Sequence, residues 1–120
     1  MQTIVDNSYY KIEVDTSKNR LYITVKDNMI SLEESTVISD LESGISLLTT
    51  DFSGIAIFLF STAYSPDLLE KYQTYHSIIV NSEKFSGPVF EKWAIVGITF
   101  NEFAPPIYTT LEEAETYLDS

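Results

Sequence analysis

Residues 55–60 read Ile-Ala-Ile-Phe-Leu-Phe, an unbroken apolar run that ends at Ser61 and Thr62. The run is too short for a stable helix and rich in β-formers, so it reads as a central strand covered on both faces. Ile55, Ile57 and Leu59 then point to one face, and Ala56, Phe58 and Phe60 to the other. Residues 93–98, Trp-Ala-Ile-Val-Gly-Ile, repeat the signature. Between the two runs, Ser65 and Pro66 supply a hydroxyl cap and a preset first helical residue. Leu69, Tyr72, His76, Ile79 and Val80 follow at helical spacing, which predicts a helix to about Val80. Two buried strands joined by a helix are expected to be parallel, through a right-handed crossover.

Upstream, Tyr10, Ile12 and Val14 alternate with Tyr9, Lys11, Glu13 and Asp15, and after the polar turn 16–19 the alternation resumes with Leu21, Ile23 and Val25 inward. A short polar loop between two such runs predicts an antiparallel hairpin. From Ser31 the period lengthens: Val37, Ile38, Leu41, Ile45 and Leu48 form one helical stripe, with Ser31 and Glu34 as a capping box at its start. Gly44 within that helix costs about 1 kcal/mol relative to Ala. Downstream, Gly87 and Pro88 punctuate. The stretch from Ile98 to Ile107 is too brief for a helical crossover, so a short strand at 107–109 is left open. Thr110 and Glu113 form a second capping box ahead of Leu111, Ala114, Tyr117 and Leu118, a closing amphipathic helix. The expected fold is α/β: a mixed central sheet with an N-terminal antiparallel hairpin, parallel core strands and amphipathic helices packed mainly on one face.

The 120 residues, 44% apolar and 21% charged, suit a single globular domain over 1–120. Seven Lys and Arg against eighteen Asp and Glu give a net charge of −11, which repels phosphate backbones and anionic lipid, so neither nucleic acid nor membrane is an expected partner. With no cysteine, disulfides, thiolate zinc sites and thiol nucleophiles are excluded, and a cytoplasmic location is expected. The opening MQTIVDNSYY lacks the character of a secretory signal, and no window reaches the ~18 apolar residues of a spanning helix.

Taken together, YYKIEVDTSKNRLYITVKD, SGIAIFLF, SPDLLEKY, WAIVGI and TTLEEAETYL resemble the SpoIIAA-like branch of the STAS superfamily, the anti-sigma-factor antagonist fold. The resemblance implies a regulatory module in which a serine at the mouth of the second helix is phosphorylated. Where that family carries an Asp-Ser-Ser-Gly-Leu type motif, this chain reads Ser61, Thr62, Ala63, Tyr64, Ser65, Pro66, which keeps hydroxyls without the motif. The family also places a helix between its last two strands, and here residues 100–106 are too few for one.

Ser61, Thr62 and Ser65 lie beyond the carboxyl end of a central strand and at a helix start, where unpaired N–H groups and the helix dipole favour an anion or a phosphoryl group. Ser65 alternatively does no more than cap the helix. His76, the one histidine, falls on the buried stripe of its helix and belongs to no recognisable triad, so packing explains it better than catalysis. Carboxylates at Glu33 and Glu34, and at Glu112, Glu113 and Glu115, read as solvated faces and dipole-complementing first turns. No EF-hand loop, HExxH pair, Gly-rich phosphate loop or GxSxG elbow appears, so no metal, cofactor or enzymatic activity is expected. Phe58, Phe60, Tyr72, His76 and Trp93 are the candidates for a ligand or interface cluster. If helices cover one face of the sheet only, as the resemblance implies, the other needs a cover: the chain's own loop and termini, among them the Pro-Pro segment with Phe100 and Phe103, a second subunit in a homodimer, or an apolar ligand. The leading expectation is a non-enzymatic STAS-like module that binds a protein partner at the end of the 55–60 strand and the start of the following helix. The alternative is a carrier of a small apolar ligand held between sheet and helices.

Overall fold

Six strands form one sheet in the order of the sequence: β1 (Gln2–Asp6), β2 (Tyr10–Asp15), β3 (Arg20–Val25), β4 (Ser53–Phe58), β5 (Trp93–Val96) and β6 (Ile107–Tyr108). The computed structural model describes residues 1–26, 33–59, 66–97 and 107–119. The pairs β1–β2 and β2–β3 are antiparallel, whereas β3–β4, β4–β5 and β5–β6 are parallel. Helix α1 (Glu34–Ser46) links β3 to β4, and α2 (Pro66–Val80) with the one-turn α3 (Val89–Lys92) links β4 to β5. Helix α4 (Leu111–Asp119) follows β6. The expected α/β fold with a mixed sheet, an antiparallel hairpin and parallel core strands is present.

Strand alternation divides the core into two parts. On one face, Ile12, Val14, Leu21, Ile23, Ala56, Phe58, Trp93 and Ile95 pack with Val37, Leu41 and Ile45 of α1 and Tyr72, Tyr75 and Ile79 of α2. Two crossovers of one hand, stepping in one direction along the sheet, require both helices on the same face. On the other face, Tyr22, Ile55, Ala94 and Val96 pack with Ala114 of α4, flanked by Ile57, Tyr108 and Leu118. The second apolar face therefore has its cover within the chain. Among the described residues that cover is the closing helix, one of the chain's termini; the Pro-Pro segment with Phe100 and Phe103 lies outside the described residues.

Several boundaries differ from the sequence reading. Strand β1 was not anticipated, because a register shift between Thr3 and Val5 breaks the period of two and leaves Ile4 and Val5 adjacent and both partly buried. Strand β4 begins at Ser53 and ends at Phe58, and β5 ends at Val96. Gly97 stops β5 with φ of +96°, where a Cβ would stand 2.3 Å from the Phe58 carbonyl oxygen. Helix α1 starts at Glu34 behind Glu33, whose backbone is extended and whose side chain makes no capping bond. Ser31, the expected cap, lies outside the described residues. Strand β6 exists despite the short connection, since two residues suffice to add a parallel edge beside Ile95 and Val96. The second capping box is confirmed in part: the Glu113 N–H donates to Thr110 Oγ1 at 3.2 Å, and the Thr109 and Thr110 hydroxyls donate to Glu113 Oε1. Those two hydroxyl bonds hold the Glu113 carboxyl below its ordinary range. Gly44 has a packing reason: a Cβ there would meet Leu21 Cδ1 at 3.3 Å and Ile12 Cγ2 at 3.4 Å, so glycine lets α1 lie close on the sheet.

Candidate functional site

The carboxyl end of β4 was the expected contact surface, and one described residue there stands out. Leu59 donates its backbone N–H to the Val25 carbonyl at 3.0 Å, which fixes it as an extension of the sheet, yet its side chain is 63% exposed. Phe60, Ser61, Thr62 and Ser65 lie outside the described residues. Helix α2 begins at Pro66, as the Ser-Pro pair predicts.

Four of the five aromatic candidates come together. Phe58 and Tyr72 meet edge to face with centroids 5.3 Å apart, Tyr72 and His76 lie 5.7 Å apart, and His76 meets Trp93 edge to face at 5.3 Å. The Trp93 indole N–H donates to the Tyr72 hydroxyl at 2.9 Å. The group is interior: Phe58, Tyr72 and Trp93 are buried, and burial alone raises the Tyr72 hydroxyl and lowers His76 to about 4. At neutral pH the imidazole is uncharged. The cavity beside this group, bordered by Tyr10, Ile23, Tyr75 and His76 among others, has a volume of about 20 Å³. That is room for about one water molecule, whereas ligand pockets run to ~300 Å³ or more. Sequence spacing placed Tyr72 and Ile79 correctly on the inner stripe of α2, and missed Tyr75, which is as buried as Tyr72.

Sequence reasoning also missed a polar arrangement at the opposite, amino end of the parallel strands. Arg20, the first residue of β3, is 3% exposed. Its Nε donates to Ser53 Oγ at 2.9 Å and its Nη2 to Asp119 Oδ1 at 2.7 Å, which ties β3, β4 and the end of α4 together. The guanidinium bond holds the Asp119 carboxyl below its usual value. One turn earlier on α4, Glu115 accepts the Tyr22 hydroxyl at 2.5 Å, and burial together with that carboxylate raises the Tyr22 hydroxyl. Lys18 approaches Asp119 at 3.4 Å and Glu115 at 3.9 Å. Lys18, Arg20, Ser53 and Asp119 border a cleft of about 540 Å³, together with Lys92, Asp51 and Glu91. The sequence signal was the parity of Arg20 with Tyr22 and Thr24, which reads as a solvent face until α4 is laid over it.

Among the described residues, no three His, Asp or Glu side chains are grouped to hold a metal ion, and no helix is long and apolar enough to cross a membrane. No protein-family model matches the chain, and neither does any curated protein or solved structure.

Proposed function

We propose that this chain is a cytoplasmic, non-enzymatic interaction module of STAS-like build, which binds a protein partner at the carboxyl end of its parallel strands. The observation that carries the reading is Leu59: a large apolar side chain, 63% exposed, on backbone that the Val25 carbonyl holds in register with the sheet. In open α/β sheets, ligands and partners bind outside the carboxyl ends of the strands. An exposed apolar side chain on backbone already tied to the sheet is suited to enter a partner's pocket. The hairpin, the parallel strands and the shared face of α1 and α2 suit the STAS resemblance, whereas α4 on the second face departs from the one-sided helix packing that it implies. A net charge of −11 favours a partner with a basic rim over nucleic acid or anionic lipid. Ser61, Thr62 and Ser65 follow Leu59 within six residues of sequence, so a phosphoryl group on one of them would add charge near the contact and switch it. The carrier reading loses ground to the 20 Å³ cavity beside the aromatic group.

The test is a photo-crosslinking residue at position 59, used in extract of the native host. One protein is expected to be captured, with unlabelled wild-type chain competing and Leu59→Asp failing to compete. Equal competition by both, or no capture above that from the exposed Thr49 position, removes the proposal.

A further inference from the structure

The amino-end cleft has a composition that the rest of the surface lacks. The chain carries seven Lys and Arg, and three of them, Lys18, Arg20 and Lys92, border this one cleft. The other four are engaged singly elsewhere: Lys11 with Glu13, Lys26 with Asp6, Lys71 with Glu34, and Lys84 with the carbonyls that end α1. A guanidinium has five N–H donors. For Arg20, Nε and Nη2 have acceptors in Ser53 and Asp119 and the Tyr22 hydroxyl lies beside the guanidinium, while the buried Nη1 meets no acceptor in hydrogen-bond geometry among the described residues. Buried donors seldom stay without an acceptor, because their desolvation is otherwise uncompensated.

We propose that the cleft between the amino ends of β3 and β4 and the carboxyl end of α4 binds a small organic oxyanion, with Arg20 as its anchor and Lys18 and Lys92 at its flanks. A volume of about 540 Å³ suits a metabolite-sized molecule. The guanidinium is oriented for this task by Ser53 on one side and Asp119 on the other, and its planar fork matches carboxylate and phosphate alike. Three carboxylates share the cleft: Asp51, Glu91 and Asp119. Asp51 stands 3.8 Å from Lys92, and Asp119 stands 3.4 Å from Lys18; all four side chains are about a third exposed or more. Exposed pairs at such separations hold little free energy, so an arriving oxyanion takes over both lysines readily. The same carboxylates set the selectivity: they repel highly charged polyanions and leave a preference for a ligand with one anionic group. This site stands at the other end of the sheet from Leu59 and is independent of the interaction reading.

The test is a titration of ¹⁵N-labelled full chain at low ionic strength, with inorganic phosphate in one arm, acetate in a second and chloride at matched ionic strength as control. Saturable shifts are expected at Arg20 Nε and at amides around 18–20, 51–53 and 91–93. A phosphate response identifies a phosphorylated ligand, and an acetate response a carboxylate. Arg20→Gln is expected to abolish the response. Because that variant also removes a buried contact, Lys18→Gln with Lys92→Gln serves beside it, with an expected loss of affinity of about tenfold and an unchanged spectrum elsewhere. The proposal is overturned by shifts that fail to saturate in both arms, by an equal response to chloride, or by a lysine double variant that binds as well as wild type.

Discussion

Gly54 and Trp93 are direct partners in the parallel β4–β5 register, and the indole occupies the space a side chain at 54 would need: a Cβ there would lie 2.0 Å from Trp93 Cζ3. Trp93 is fully buried, with its N–H on Tyr72, so it has nowhere to retreat. Gly54→Ala is expected to destabilise the fold by about 3 kcal/mol or more, at the upper end of overpacking effects. Urea unfolding measures it. Trp93→Leu in the same chain should make the alanine nearly neutral, and additive losses in the double variant would contradict the steric account.

His76 links that packing to pH. Its imidazole lies between Tyr72 and Trp93, and burial lowers it from 6.5 to about 4. The unfolded chain therefore binds this proton more readily than the folded one between about pH 4 and pH 6.5, and stability falls as pH drops through that window. The full drop is on the order of 3 kcal/mol. Lowered carboxylates such as Asp119 and Glu113 act in the same direction, at lower pH. Urea midpoints at pH 7.5, 6 and 5 should decline for wild type and stay nearly flat over that range for His76→Phe. A parallel decline in both chains would rule out the histidine as the cause.

Lys84 closes a helix to which it does not belong. Its Nζ donates to the carbonyls of Ile45 at 3.2 Å, Ser46 at 3.3 Å and Leu48 at 2.9 Å, where α1 ends with no basic residue of its own in the last turn. The ammonium satisfies end carbonyls and complements the helix dipole. Lys84→Met keeps the aliphatic stem and should cost about 1–2 kcal/mol. Amide exchange should quicken in α1 and leave β2 and β3 unchanged; protection lost evenly across the sheet would show that the ammonium does more than cap.

Residues buried on both sides were the most legible in the sequence. Ile55–Phe58 and Trp93–Val96 could only be central strands, and Tyr72 and Ile79 could only face inward, because each has one environment that fits it. What escaped depends on partners distant in sequence. The stripe of α4 announces a packed helix without saying against which face, and nothing near Arg20 in sequence signals its burial, because the helix that holds it begins about ninety residues later. Strand β1 was hidden by its own irregularity, since the shift beside Ile4 erases the alternation that identifies a strand. Of the candidate site, spacing finds the aromatic group but not its depth: Trp93 and Tyr72 are core residues, and the accessible apolar position at that end of the sheet is Leu59, which the unbroken apolar run presents as buried.

Ala114 decides how firmly α4 covers the second face. It is the one fully buried residue of that helix, set against Tyr22, Ile55, Ala94 and Val96; beside it are the partly buried Leu118, the Tyr117 ring on Tyr108, and polar ties from Glu115 to Tyr22 and from Asp119 to Arg20 and Lys18. A nine-residue helix has little stability of its own, so its order depends on these contacts. Ala114→Leu inserts three carbons where the helix backbone approaches the sheet, and should cost about 1–3 kcal/mol. The damage should be local. Amide exchange is expected to rise in α4 and β6, while α1, α2 and β2 keep their protection, because the large core on the opposite face contains no α4 residue. Ion pairs carry part of the remaining hold, so raising the salt should loosen α4 further in the variant than in wild type. Loss of protection throughout the chain would mean instead that the two faces unfold as one unit and that α4 is part of a single cooperative core.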